Sequence, residues 1–125
     1  MRERILVTGE GGFIGSHLMP LLGERAKGWD LKDGKDIFSC DFEEAVKETD
    51  IIIHLAALTN VVGSRDNPEE HFRVNTLGTA RVLELAIRHV KKVVYPSSGA
   101  YYMKSSSPYA ESKGMADDLC QKAMQ

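Results

Sequence analysis

Cysteine is scarce in this chain. Cys40 and Cys120 are the only two in 125 residues, far apart and with none of the short spacings of a metal-ligand set. Neither a disulfide framework nor a thiolate-bound metal is expected, only two reduced thiols of a cytosolic protein. No metal site is assigned. An excess of one charge is missing too: the net charge is −2, with acids and bases scattered along the chain. That excludes the clustered basic face that nucleic acid or an anionic membrane requires. No apolar run approaches the ~18 residues of a membrane span, and the opening MRERILVTGE lacks the apolar core of a secretory leader. Repeats and low-complexity tracts are absent as well. The expectation is one cytoplasmic globular domain over residues 1–125, large enough for one modest core.

Short apolar runs alternating with helical stretches are what is present. Ile5–Val7, Ile51–Ile53 and Val93–Tyr95 are continuously apolar, as strands buried on both faces are, and Gly28–Leu31 is a weaker fourth. Helices are expected over Ile14–Arg25, where Pro20 bends or shortens the helix, and over Phe42–Glu48, with Asp41 as cap and Glu44 completing a capping-box-like pair. Two more are expected from Pro68 to about His89 and from Tyr109 to about Met124, the last with Met115, Ala116, Leu119, Cys120 and Ala123 on one stripe. The third helix is apolar on two sides. Phe72, Ala80, Leu83 and Ile87 form one, and Val74, Leu77, Val82 and Leu85 the other. The pattern reads as α/β, a Rossmann-type doubly wound parallel sheet of about four strands in the order 3-2-1-4, with the Val93–Tyr95 strand at a bare apolar edge.

Residues 8–17 read TGEGGFIGSH, with Gly9, Gly12 and Gly15 at three-residue intervals. The spacing alone is only suggestive. Its context says more: it follows a strand directly and opens a helix, where backbone can approach a pyrophosphate and the helix N-terminus offers free N–H groups. Glu10 is out of place, since a carboxylate beside a pyrophosphate repels it. About 20 residues on, Asp30 stands where a carboxylate would bind adenosine ribose hydroxyls, favouring NAD; nearby Lys32 leaves NADP as the lesser alternative.

Tyr109 and Lys113 are four apart, which on a helix stacks them on one face. An ammonium near a phenol lowers a pKa of ~10, so the phenol can exchange a proton with an alcohol near neutral pH. Ser97 and Ser98 follow the last strand at its carboxyl end, where ligands of such sheets bind. Taken alone, Ser-Ser-Gly is equally a plain loop.

TGEGGFIGSH, HLAA at residues 54–57, NTLGT at 75–79, VVYPSSGAYY and SPYAESK occur in the order found in the extended short-chain dehydrogenase/reductases. The sequence most resembles the nucleotide-sugar epimerases among them. The resemblance implies that Gly9, Gly12, Phe13, Ile14 and Gly15 line the pyrophosphate loop and that Asp30 takes the adenosine ribose. It puts Asp36 and Ile37 by the adenine, and Leu55, Ala56 and Ala57 along the cofactor. Asn75 supports the catalytic lysine or its water, Ser98 is the catalytic hydroxyl, Tyr109 the acid/base and Lys113 its helper; for His54 and Asn75 a purely structural role stands beside these. The implied chemistry is NAD-dependent hydride transfer at a sugar carbinol of a UDP-sugar, as in UDP-glucose 4-epimerase. Gly99 and Ala100 stand where the family's dehydratases carry an acidic pair, which argues against dehydration. Family members are more than twice as long, so the expectation is the cofactor half without the substrate domain. A cofactor-binding module with little turnover, and a reductase or decarboxylase of the same family, remain as alternatives. The family also pairs subunits through the third and last helices, implying a homodimer through residues 69–89 and 109–124.

Overall fold

The computed structural model describes residues 2–58, 63–96 and 107–123. The chain divides into two compact units: residues 1–56 with 81–95, and residues 57–80 with 96–125.

The first unit holds a parallel sheet. Its strands are β1 (Ile5–Thr8), β2 (Ala26–Trp29), β3 (Ile51–His54) and β4 (Lys92–Val94). Their order is β2-β1-β3-β4, compatible with the Rossmann-type class. Relative to the expected 3-2-1-4, β3 lies on the far side of β1 and pairs with it directly, Leu6 opposite Ile52 and Thr8 opposite His54. A 3-10 turn at Leu31–Asp33 and the left-handed Gly34 (φ 75°) follow β2, and among the described residues no strand pairs with its outer side. Among the described residues β4 is paired on one side only, as expected of an edge, and its Val94 is exposed.

Side chains alternate across these strands. One face carries Leu6, Trp29 and Ile52, which join Phe42, Ala45 and Val46 of α2 (Cys40–Lys47) and Val82, Leu85 and Ala86 of α5 (Gly78–His89) in the core. The opposite face carries Ile5 and Val7, both buried. Helix α1 (Phe13–Leu22) contains Pro20 in its last turn and ends two residues later, before Gly23 (φ 63°), shorter than the expected Ile14–Arg25. Helix α2 begins two residues before the expected Phe42, with Ser39 at its cap position. The Ser39 hydroxyl donates to the Asp36 carbonyl (2.7 Å) instead of capping the helix, and Asp41 falls in the first turn.

The second unit is helical. It contains α3 (Gly63–Asp66), α4 (Pro68–His71), a wide-turned π stretch at Phe72–Leu77, and α6 (Pro108–Ala123). Pro68 opens α4 at a position where its missing N–H costs nothing. The π stretch adds a residue to a turn, so a 3.6-residue period carried through it loses phase. For that reason the expected apolar faces do not hold as drawn: Val82 lies in the core of the first unit, while Leu77 and Ile87 are exposed.

The buried side of α6 also differs from the expected stripe. It consists of Ala110, Ser112, Lys113, Gly114 and Ala116, with Met115 and Ala123 exposed. Small residues allow close approach to the π stretch, and Ser112 bonds to it. Ser107 starts α6 by accepting the Ala110 N–H (3.1 Å), ahead of Pro108 at the first helical position. None of the helices built from described residues is long and apolar enough to cross a membrane.

Candidate functional site

In the first unit the loop between β1 and α1 is held at close quarters. A Cβ on Gly9 would lie 2.7 Å from the Ala56 nitrogen, and Gly9 has a positive φ of 69°. Another on Gly15 would meet the Glu10 backbone at 2.5 Å. Only glycine fits at either position. A Cβ on Gly12 would meet nothing nearer than the Gly9 carbonyl at 3.4 Å, so the open side of the loop is at Gly12, the cap residue of α1. No side chain caps this helix and its first turn holds no acid. Phe13 and Ile14 are exposed there. First-turn N–H groups without an internal acceptor are what an anion binds. Gly9, Gly12, Phe13, Ile14 and Gly15 are thus gathered in one loop and the helix start that follows it.

Asp30 follows β2 and is buried. Its Oδ2 accepts the Gly11 N–H at 2.7 Å and its Oδ1 the Lys32 N–H at 2.9 Å. This carboxylate is pinned to the glycine loop, 19 residues away in sequence. Lys32 donates through Nζ to the Gly11 carbonyl (3.3 Å). Asp36 turns inward on its own segment, accepting the Phe38 N–H (2.9 Å), and the Ile37 side chain belongs to the hydrophobic core.

Thr8, at the end of β1, ties this unit to the strand beside it. Its Oγ1 accepts the N–H groups of Leu55 and Ala56, both at 3.1 Å, and lies 2.7 Å from His54 Nδ1. The family-implied cofactor residues Leu55 and Ala56 are placed by this hydroxyl, a role sequence reasoning missed. His54 itself is buried, and its ring stacks on Tyr95 at 5.9 Å. Ala57, the third of that run, is half-buried in the second unit.

In the second unit Tyr109 and Lys113 stand one turn apart near the start of α6. Lys113 is buried. Burial pushes its ammonium below the ordinary lysine range, while Cys120 and Asp117 pull it back up. Asn75, in the π stretch, is only 1% exposed. Its Oδ1 accepts the Leu58 N–H (2.8 Å), and its Nδ2 donates to the Leu58 carbonyl (3.0 Å) and to Ser112 Oγ (3.0 Å). Thr76 donates to the Ser112 carbonyl (2.9 Å), and Ser112 to the Tyr109 carbonyl (2.9 Å). Asn75 therefore acts on the residue before Lys113 and on the segment after β3. Ser112 was not anticipated; its place between Tyr109 and Lys113 was the only available signal. Ser98 and its neighbour Ser97 lie outside the described residues. Among the described residues no three potential ligands cluster as for a metal ion.

Known proteins resemble this chain over most of its length. Residues 5–125 match the model of the NAD dependent epimerase/dehydratase family. A UDP-N-acetyl-alpha-D-glucosaminuronate decarboxylase of Bacillus cytotoxicus is 30% identical over 132 residues, covering 89% of this chain and 41% of the relative. The UDP-glucose 4-epimerase of Mycolicibacterium smegmatis is 34% identical over 137 residues, covering 90% of this chain and 44% of the relative. Among solved structures, MoeE5 in complex with UDP-glucose and NAD is similar with a TM-score of 0.86 and 30% identity, over 96% of this chain and 48% of that one. The chain spans less than half the length of these curated relatives.

Proposed function

The chain belongs to the NAD dependent epimerase/dehydratase family, and on that premise we propose that it carries the NAD-binding and proton-transferring half of a nucleotide-sugar epimerase acting on a UDP-sugar. Bound NAD would supply a reversible hydride acceptor. Gly12, Phe13 and Ile14 would hold its diphosphate against the open end of α1, and Asp30 its adenosine ribose. Tyr109 takes the proton of the sugar hydroxyl as the carbinol carbon gives up its hydride, and returns it when the hydride comes back on the other face. Lys113, one helical turn on, would assist Tyr109, and Ser98 would polarise the same hydroxyl.

One observation carries this reading. The loop is open at Gly12 and closed by backbone at Gly9 and Gly15, in a chain whose family is NAD-dependent. The 30% identical decarboxylase favours a second reading, in which the same residues would hold NAD as oxidant for a UDP-sugar acid that then loses carbon dioxide. A binding module with little turnover is the third.

Two measurements test the proposal. Trp29, the only tryptophan, is buried and adjoins Asp30, so NAD should change its fluorescence; an unchanged signal together with no heat in calorimetry would sink the cofactor site. Tyr109→Phe should keep NAD affinity and abolish hydride exchange with UDP-glucose or UDP-glucuronic acid. Exchange that survives the change removes Tyr109 from its role. We also propose a homodimer through α5 and α6, with exposed Leu77, Ile87 and Met115 in support; a monomer by light scattering would refute it.

A further inference from the structure

Glu10 is the one residue of the loop whose charge opposes the proposed ligand, and its placement gives the reason it is tolerated. It does not cap α1, whose N-terminus has no side-chain cap. Instead its side chain folds back over β2, and its carboxylate takes the space that a side chain at position 28 would fill: a Cβ on Gly28 would collide with Cδ, Oε1 and Oε2 of Glu10. Two residues beyond Gly28 stands Asp30, bonded to Gly11, the residue after Glu10. The two carboxyls feel each other. Burial pushes the Glu10 carboxyl above the ordinary carboxylate range, the charges of Asp30 and Asp33 push it further, and Lys35 opposes them. Neither lysine of this segment is aimed at the pair by a hydrogen bond. Lys32 donates to the Gly11 carbonyl, and Lys35 lies over the Trp29 ring at 5.6 Å from its centroid.

We propose that Glu10, seated over Gly28, is a second selectivity carboxylate, which acts beside Asp30 to reject the 2′-phosphate of NADP while leaving the uncharged ribose of NAD unaffected. This inference rests on the reading that the loop binds a dinucleotide. A ribose hydroxyl needs an acceptor, which Asp30 provides. A 2′-phosphate brings about −1.5 to −2 charges near neutral pH, as other phosphate monoesters do, and meets two carboxylates instead of one. At the effective dielectric of a protein surface, a unit charge about 12 Å away is worth about a tenfold change in affinity.

Calorimetric titration of the full chain with NAD and NADP decides the matter, using wild type, Glu10→Gln and Asp30→Asn. Glu10→Gln keeps the side chain's size and removes its charge, so the loop keeps its shape. Expected is a wild type that prefers NAD, and a Glu10→Gln variant with NAD affinity within about twofold and NADP affinity about tenfold higher. That gain should shrink in 1 M salt, where charges are screened beyond ~3 Å. A Glu10→Gln variant with the wild-type NAD/NADP ratio, while Asp30→Asn shifts it, overturns the inference and leaves the dinucleotide site standing. A gain in NADP affinity that persists in full at 1 M salt overturns the charge argument. A wild type that binds neither nucleotide overturns the site and the inference together.

Discussion

Thr8 Oγ1 lies 2.7 Å from His54 Nδ1 and accepts two backbone N–H groups at 3.1 Å, from Leu55 and Ala56. A hydroxyl has two acceptor lone pairs and one hydrogen. With both lone pairs engaged, its hydrogen goes to His54 Nδ1, and the His54 ring carries its own hydrogen on Nε2. One side chain thereby sets a histidine tautomer and fixes the chain leaving β3. The expected HLAA run is anchored from β1.

Thr8→Val should therefore cost about 2–4 kcal/mol, because the isosteric methyl takes the hydroxyl from the Ala56 N–H and a buried imidazole nitrogen, while the Leu55 N–H keeps the Thr8 carbonyl at 3.0 Å. Thr8→Ser should recover most of it. Urea denaturation of the three proteins measures the difference, and a loss below about 0.5 kcal/mol in the valine variant would mean that water replaces the hydroxyl.

Asn75 satisfies both backbone groups of Leu58 and also reaches Ser112. Asn75→Ala should destabilise by about 2–4 kcal/mol and Ser112→Ala by about 1 kcal/mol. Because the two share a bond, the double variant should lose less than the sum. Strict additivity in a double-mutant cycle would show that the bond contributes nothing.

The glycines of the chain are not equivalent. Gly15→Ala puts a methyl 2.5 Å from the Glu10 backbone and should collapse the loop, with loss of NAD binding and of several degrees in melting temperature. Gly34 also has a positive φ, 75°, but its surroundings are empty to 4 Å. Gly34→Ala should cost only the left-handed strain, about 1 kcal/mol. Thermal melts compare them; equal losses would contradict the packing of the loop.

Cys120 should titrate late. Burial and then Asp117 push its thiol up to about 11 from 9.0, although Lys113 pulls it down. The folded chain keeps the proton while the unfolded chain loses it near 9.0, so stability is intact below that pH and falls as the pH rises from 9.0 to about 11. Thiolate absorbance near 240 nm, followed in a Cys40→Ser variant, gives the pKa directly. A midpoint near 9 would refute the assignment, and Cys120→Ala should flatten the alkaline loss.

Much of this was legible from local pattern. The triplets Ile5–Val7 and Ile51–Ile53 lie within β1 and β3, and Pro68 and Pro108 each begin a helix. The glycine spacing also marked the loop, because steric demand at Gly9 and Gly15 leaves no other residue possible. Helix faces were less legible. The π stretch at Phe72–Leu77 leaves no mark in residue periodicity and moves Val82 into the core. The buried side of α6 was misassigned because Ser112 and Lys113 are polar, and for Ser112 only a partner such as Asn75 offsets the cost of burial.

What the sequence by itself determined is therefore the inventory of elements and the chemistry they bear: parallel strands, a glycine turn, an acid after β2, and a tyrosine four residues before a lysine. These depend on contacts between near neighbours, which composition and spacing encode. The tertiary structure alone decided that β3 lies beside β1, that Thr8 holds Leu55 and Ala56, that Asn75 reaches Leu58 and Ser112, and that Glu10 rests where Gly28 has no side chain. Each joins residues 17 to 48 positions apart, and pairings at that range are set by which buried donors and volumes find their complements when the chain closes.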